Sequence, residues 1–367
     1  MTRRLPAIGT PLDELDTPCL VIDRDALDRN IGRIADFLRE RGVRWRPHFK
    51  SYKSVELVRR VLAAGAMGVT CAKLGEAEVL ADHGIRDLLI VSPLAGRAKI
   101  ERLVELRRRA DPIVVVDHVD HIVALGNAAT RGDEPIRVVI EIDLGLQRCG
   151  VPPGMMAVEL ARRIGQTPGL QFEGLMGWEG HLLTVADPEE KKRRIAEALL
   201  GLTHTKELLT KDGIACPTIS AGGTGSFQVT ADLGVATEIE AGGGVLMDLF
   251  YRDKCGVQGL EIALTVLATV ISRPCPERAV IDAGRKTLSP DLQLPAVAGR
   301  DDLAVQWLSA EHGVLRVAQP PGPSIGDVVR LIPGYGDWTT MLHDHYFVGQ
   351  EGRLVEIWPL QARGRLD

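Results

Sequence analysis

The sequence is poor in aromatic residues and has no excess of basic ones. Aromatic side chains make up 4% of the 367 residues, and 44 basic against 49 acidic residues give a net charge of −5. The longest basic run, residues 191–194, directly follows two glutamates in a predicted helix and is typical of a solvated helix face. We therefore expect no nucleic-acid partner.

Long apolar runs and closely paired cysteines are also missing. No segment approaches the roughly 18 apolar residues of a membrane span, and residues 1–5 do not lead into a signal-peptide pattern. We expect no membrane partner. The six cysteines are too scattered for a zinc ribbon or a redox motif, and such cysteines are typical of reduced, cytoplasmic proteins.

What the sequence does contain is a repeated alternation of apolar runs and amphipathic segments. Eight such strand–helix units lie between about residue 20 and residue 245, the first with its strand at 17–22. Several apolar runs are continuous, as in strands that are covered on both faces. An open doubly wound sheet would show the same alternation, but eight units without a clear break favour a (β/α)₈ barrel of the α/β class.

The pattern changes after Asp248, where short strands and turns follow one another and no good helix is predicted. We therefore divide the chain into a barrel domain, residues 20–247, and a β-rich domain, residues 248–367. Residues 1–19 are expected to join the β-rich domain.

Lys50 lies where such barrels carry their chemistry, between the end of a strand and the start of a helix. Pro47 favours an extended end to this strand, and a helical apolar pattern begins just after Lys50. Most lysines are solvated surface residues, so the position and the neighbours are what single out Lys50. Arg46, His48 and Lys53 would form a cation cluster that lowers the pKa of an amine and favours imine formation.

Two glycine-rich loops follow the last predicted strands and suit a phosphate group. Glycine exposes backbone N–H groups, and the last loops of such barrels commonly bind phosphate, although a glycine loop is often only a turn. P-loop spacing is missing, which argues against a nucleoside triphosphate. A lysine and a phosphate cradle in one barrel suggest pyridoxal 5′-phosphate. The candidate phosphate-binding residues are Ser220, Gly223, Thr224, Gly225, Gly242 and Gly243.

Arg148 lies in a loop between Gly145 and Gly150, at the same end of the predicted barrel. Its guanidinium group could donate to an oxygen of the cofactor or to a substrate carboxylate. An exposed loop arginine without a ligand explains the sequence equally well.

Nearly the whole chain carries motifs of one enzyme family. They are residues 17–20, 46–50, 143–150, 222–226, 281–284, 311–313, 331–334, 343–344 and 358–364. On these motifs the sequence resembles the D-threonine aldolase/D-serine dehydratase family of fold-type III pyridoxal-phosphate enzymes, which join an alanine-racemase-like barrel to a β domain. The likeness is strongest to the β-hydroxyaspartate aldolase branch.

The resemblance implies roles for several of these residues. Lys50 would hold the cofactor as a Schiff base, Arg148 would approach its phenolic oxygen, and the two glycine loops would hold its phosphate. His48 and Trp178 would contact the cofactor as well. The family also implies a small-molecule amino-acid substrate and a homodimer.

One departure from the family concerns a divalent metal. The family usually has a histidine two residues before an aspartate or cysteine, and both bind the metal; here Tyr335 stands in the histidine's place and Asp337 remains. A neutral phenol is a poor ligand for Mg²⁺ or Mn²⁺, so Asp337 alone would hold a metal weakly. His343 and His345, expected on one face of a strand, could reach in. One structural and one exposed histidine is at least as good an interpretation.

The second departure follows the seventh predicted strand. Trp178 stands where the family usually has a tyrosine, and the family's histidine base would fall near Thr184. Glu179 or His181 could replace that base, and Tyr335 could act as an acid or base, as a tyrosine does in racemases of this fold. His181 could equally well only hydrogen-bond its own loop.

Together these features predict a pyridoxal-phosphate-dependent lyase that cleaves a β-hydroxy-D-amino acid by a retro-aldol reaction to glycine and an aldehyde. Three alternatives stay open at this point. They are a dehydratase that forms a keto acid and ammonia, a metal-independent racemase or transaminase, and a non-catalytic pyridoxal-phosphate-binding protein.

Overall fold

The computed structural model describes residues 5–131 and 134–367. The chain divides into two compact units, which we call the sheet unit and the barrel unit. The sheet unit comprises the residues up to 33 together with 51–56 and 243–363, and the barrel unit comprises residues 34–50, 57–242 and 364–367. The domain bounds expected from the sequence, 20–247 against 1–19 with 248–367, stay a prediction.

Strands and helices alternate through most of the chain before residue 240. The strands are β1 Cys19–Asp23, β2 Arg44–Trp45, β3 Val69–Cys71, β4 Asp87–Ile90, β5 Asp111–Val116, β6 Ile136–Ile142, β7 Leu170–Gly177, β8 Thr218–Ala221, β9 Glu238–Ile239, β10 Leu264–Cys275, β11 Arg278–Ile281, β12 Ala296–Val297, β13 Leu303–Leu308, β14 Gly313–Val317, β15 Val328–Ile332, β16 His345–Gln350 and β17 Arg353–Pro359. The helices are α1 Arg24–Glu40, α2 Val55–Ala63, α3 Leu74–Asp82, α4 Arg97–Leu106, α5 Val119–Ala129, α6 Met155–Gly165, α7 Pro188–Lys211, α8 Phe227–Asp232 and α9 Gly336–Thr340.

Eight parallel strands form the barrel, in the order β2-β9-β8-β7-β6-β5-β4-β3. A parallel bridge between His48 and Thr70 joins the continuation of β2 to β3, so the ring of strands closes. Continuous apolar runs such as β5 are buried along most of their length because both of their faces are covered. One buried cluster of the barrel consists of Leu89, Ile113, Val115, Val139 and Met176. The predicted (β/α)₈ barrel is confirmed.

The first strand of the chain does not belong to this barrel. β1 pairs antiparallel with β10 and parallel with β16, both in the sheet unit. The prediction that this strand opens the barrel is therefore wrong, and β9, a two-residue strand that was not predicted, completes the eight. A buried strand has the same apolar composition in either sheet, so local pattern alone does not separate the two.

The sheet unit is built on a mixed nine-stranded sheet with the path β13-β14-β11-β10-β1-β16-β17, and β15 pairs with β10 and β12. Part of its core is a cluster made of Leu12, Leu15, Cys19, Val21, Leu267 and Leu354. The predicted β-rich character is confirmed. No good helix was expected in this region, and α9, between β15 and β16, has only five residues.

Among the helices within residues 5–131 and 134–367, none is long and apolar enough to cross a membrane. None of the six cysteines, all of which lie in the described ranges, forms a disulfide bond.

Candidate active site

One rim of the barrel collects five of the segments that the sequence analysis singled out. Lys50 follows β2, Arg148 lies in the loop after β6, and Trp178 directly follows β7. The glycine loop at 222–226 follows β8, and Gly242 follows β9. Because parallel strands of a barrel all end at the same rim, these segments lie at the end where such barrels carry their active sites.

Trp178 lies within cation–π distance of two cations. Lys50 Nζ is 5.4 Å from the centroid of its ring, and the guanidinium carbon of Arg148 is 5.2 Å from it. Indole is the most favourable aromatic partner for a cation at separations below about 6 Å. The indole ring therefore contacts both the Lys50 amine and the Arg148 guanidinium group.

Arg46 does not place a positive charge beside Lys50. Its buried guanidinium group donates to Glu238 Oε1 at 2.9 Å and to Asp87 Oδ1 at 2.7 Å. These carboxylates belong to the first residues of β9 and β4, at the opposite end of the barrel from Lys50. The prediction that Arg46 adds a positive charge beside Lys50 is therefore wrong, and the contributions of His48 and Lys53 to a cation cluster stay predictions.

The loop after β9 approaches the backbone after β2 so closely that only glycine fits. A Cβ at Gly242 would lie 2.2 Å from the carbonyl oxygen of His48. In the other loop, Gly222 has a φ of +70°, which lets the chain turn at the end of β8. Gly225 and Gly242 are buried residues, and neither of their N–H groups donates a hydrogen bond to another residue in the described ranges.

Glu179 is buried beneath the glycine loop and holds it. Its Oε1 accepts hydrogen bonds from Ser226 Oγ and Thr230 Oγ1, each at 2.6 Å, and the residue is 0% exposed. Ser226 Oγ in turn accepts a hydrogen bond from the N–H of Gly223 at 3.2 Å. This carboxylate therefore connects the segment after β7 to the loop after β8.

His181 and Glu141 both border the loop that carries Arg148. His181 is exposed, and its Nε2 lies 3.1 Å from the position of a Cβ at Gly145, so the imidazole packs against that loop. Glu141 Oε1 lies 3.5 Å from Arg148 Nη2. Burial raises the pKa of the Glu141 carboxyl group, and the charge of Arg148 opposes this increase.

Glu240 is a residue of this rim that the sequence analysis missed. Ser220 Oγ donates to Glu240 Oε1 at 2.9 Å. Burial raises the pKa of Glu240 to about 7, and the hydrogen bond from Ser220 and the charge of Lys50 work in the opposite direction. Only recognition of the short strand β9 would have shown that Glu240 follows a barrel strand.

Tyr335 and Asp337 lie in the sheet unit, at the start of α9, and are bonded to each other. Tyr335 Oη donates to Asp337 Oδ2 at 3.0 Å. Burial and the charge of Asp337 raise the pKa of the Tyr335 hydroxyl well above its usual range. Asp248 accepts hydrogen bonds from the N–H groups of Gly336 at 2.7 Å and Tyr251 at 2.9 Å. Burial raises the pKa of Asp248 to about 7.

The candidate residues Gly243, His343 and His345 also belong to the sheet unit. A Cβ at Gly243 would lie 2.7 Å from the ring of Tyr251. His343 precedes β16 and its Nε2 is 3.0 Å from the carbonyl oxygen of Thr287, so the expectation that His343 and His345 share one face of a strand is wrong. Within the described ranges, no group of three or more His, Cys, Asp or Glu side chains is arranged to hold a metal ion.

Known proteins resemble this chain along its whole length. The family described as "Alanine racemase, N-terminal domain" matches residues 22–248, and "Putative serine dehydratase domain" matches residues 263–349. A 3-hydroxy-D-aspartate aldolase of Paracoccus denitrificans (strain Pd 1222) is 35% identical over 98% of this chain and 96% of its own. The crystal structure of D-threonine aldolase from Filomicrobium marinum matches with a TM-score of 0.95 and 37% identity, over 99% of this chain and 100% of that one. A D-threo-3-hydroxyaspartate dehydratase variant in its metal-free form is more distant, with a TM-score of 0.84 and 29% identity over 95% and 98% of the two chains.

Proposed function

Because the chain belongs to the alanine racemase-like family of pyridoxal-phosphate enzymes, we propose that it cleaves a β-hydroxy-D-amino acid by a retro-aldol reaction. The products would be glycine and an aldehyde. The observation that carries the proposal is the full-length similarity to aldolases that are named for such substrates.

The barrel rim offers groups that suit pyridoxal phosphate. Gly225 and Gly242 are buried residues whose N–H groups have no protein acceptor in the described ranges, and an N–H group inside a protein normally has a hydrogen-bond acceptor. Phosphate oxygens are acceptors of this kind, and concave runs of backbone N–H groups favour anions. Lys50 would hold the cofactor covalently through its aldehyde, and Arg148 would donate to its phenolic oxygen. The other residues proposed to contact the cofactor are His48, Trp178, Ser220, Gly223, Thr224 and Gly243.

Bound pyridoxal phosphate supplies an electron sink for the electron pair that is released when the Cα–Cβ bond breaks. The protein has to hold the substrate and move its protons. Trp178 contacts both Lys50 and Arg148 and favours their positions at the rim. We propose His181, which is exposed at the rim, as the acceptor of the β-hydroxyl proton, since imidazole is a common general base.

The two acidic residues of the rim have different proposed roles. Glu179 is buried and already accepts two hydrogen bonds, which supports a positioning role for it and not that of a base. Glu240 has a pKa of about 7, so its carboxyl group is suited to exchange a proton near neutral pH. The acid–base role of Tyr335 stays a prediction.

A dehydratase is the second candidate, because a dehydratase with the same fold is similar over nearly the whole chain. Product analysis separates the two reactions. The purified enzyme, loaded with pyridoxal phosphate, is incubated with both enantiomers of several β-hydroxy amino acids. We expect equal amounts of glycine and aldehyde from the D enantiomers. A keto acid and ammonia would contradict the lyase proposal and support the dehydratase.

We also propose that the protein is a homodimer in the cytoplasm. Both proposals rest on the family resemblance, and six cysteines without a disulfide bond in the described ranges are in keeping with a reducing compartment. Light scattering on the full-length protein measures the mass in solution, and a mass near 40 kDa, that of one chain, would contradict the dimer.

A further inference from the structure

Tyr335 and Asp337 stand where the family resemblance places a divalent metal, but their contacts do not suit one. Tyr335 Oη donates its proton to Asp337 Oδ2 at 3.0 Å. A phenol that acts as a donor keeps its proton, and Mg²⁺ and Mn²⁺ prefer carboxylate, carbonyl and water oxygens or imidazole over a neutral phenol. The hydrogen bond also occupies one of the two carboxylate oxygens of Asp337.

The carboxylate of Asp248 accepts hydrogen bonds from the backbone. Asp248 Oδ1 accepts the N–H of Tyr251 at 2.9 Å, and Asp248 Oδ2 accepts the N–H of Gly336 at 2.7 Å. Gly336 lies between Tyr335 and Asp337 in the chain, so these bonds fix the turn that carries the pair. Each oxygen of Asp248 therefore already has a structural partner.

His343 does not offer Nε2 as a ligand for a metal beside Asp337. His343 Nε2 lies 3.0 Å from the carbonyl oxygen of Thr287, which can only accept a hydrogen bond. A ring nitrogen that donates a proton has no free lone pair for a metal.

We infer that the Tyr335–Asp337 pair replaces a metal site, so that this chain binds no divalent cation there, and that the single substitution Tyr335→His creates such a site. An imidazole at this position offers a nitrogen lone pair and no longer supplies the phenol proton to Asp337. Imidazole, carboxylate and water together are an ordinary ligand set for Mn²⁺.

Metal binding tests this inference without reference to catalysis. The full-length enzyme, loaded with pyridoxal phosphate and freed of metal by a chelator and dialysis, is titrated with Mn²⁺ while electron paramagnetic resonance follows the free ion. We expect no stoichiometric site in the wild type. We expect one site in Tyr335→His, at least about tenfold tighter than any wild-type binding.

Two control variants identify the ligands. Tyr335→Phe removes the hydroxyl group without adding a ligand and should gain no site. The double variant Tyr335→His/Asp337→Asn should lose the site that Tyr335→His gains. Circular dichroism and melting curves confirm that each variant is folded before it is titrated.

Two results would overturn the inference. The first is one Mn²⁺ per wild-type chain that is lost in Asp337→Asn, and this comparison holds even where Tyr335→His does not fold. The second is a folded Tyr335→His protein without a site, because the pair would then not mark the ligand position. Failure of the proposed lyase activity would affect neither readout.

Discussion

Lys50 Nζ lies 5.4 Å from the centroid of the Trp178 ring, and the same ring carries the Arg148 guanidinium carbon at 5.2 Å. One aromatic side chain at the end of β7 thus orients two cations that come from the ends of two other strands. A lysine and an arginine that act on one bound molecule have to lie close to each other. Their shared contact with the indole ring favours that arrangement.

Loss of the amine should abolish the lysine-linked form of the cofactor. We expect Lys50→Ala to lose the long-wavelength absorbance band of the bound cofactor and to lower kcat at least about a thousandfold. Lys206→Ala, on the exposed face of α7, is the matched control and should keep both. An unchanged band in Lys50→Ala would show that another amine holds the cofactor.

A side chain at Gly242 should disrupt the rim, since its Cβ would lie 2.2 Å from the His48 carbonyl oxygen. We expect Gly242→Ala to lose about 1–3 kcal/mol of unfolding free energy and to bind the cofactor more weakly. Gly165→Ala is the control, because a Cβ at Gly165 meets no atom within 4 Å. Urea denaturation and absorbance titration measure the two effects. Equal stability of the two variants would contradict the close approach.

Removal of the Glu179 charge should weaken cofactor binding and leave the acid–base chemistry intact. In Glu179→Gln we expect the dissociation constant of pyridoxal phosphate to rise about tenfold, because the bonds to Ser226 and Thr230 lose their charged acceptor. The shape of the pH–rate profile should not change. Glu173→Gln, in β7, is the control. A variant with normal cofactor affinity and an altered pH–rate profile would instead make Glu179 the catalytic base.

Glu240 should give the folded protein a pH-dependent stability. Burial raises the pKa of its carboxyl group from an ordinary 4.5 to about 7, so the folded state binds the proton more tightly than the unfolded state does. The unfolding free energy should therefore fall as pH rises from about 4.5 to about 7. We expect Glu240→Gln to flatten this slope and exposed Glu207→Gln to keep it, as urea denaturation at several pH values can show. An identical slope in Glu240→Gln and the wild type would contradict the raised pKa.

Much of the barrel rim could be predicted from local sequence. Lys50 was found because a proline-terminated strand and a helical pattern flank it, and the glycine loops were found because their composition is unusual over a short window. These patterns are local, so they can be recognised without knowledge of the tertiary structure. Trp178 was found only because the family usually has a different residue at its position.

The features that were missed depend on contacts between distant parts of the chain. β1 joins the sheet unit through pairing with β16, more than 300 residues away, and nothing in its own composition indicates that partner. β9 has only two residues, too few for a periodic pattern. The partners of Arg46 and the burial of Glu240 likewise exist only once the barrel has closed.

The most direct test of the proposed lyase activity is the reverse reaction. The enzyme, loaded with pyridoxal phosphate, is incubated with ¹³C-labelled glycine and an aldehyde, and the product is followed by NMR and chiral chromatography. We expect a new bond between the labelled α-carbon and the aldehyde carbon, in a β-hydroxy amino acid of D configuration. No new carbon–carbon bond, from an enzyme that releases ammonia from the same β-hydroxy amino acid, would contradict it.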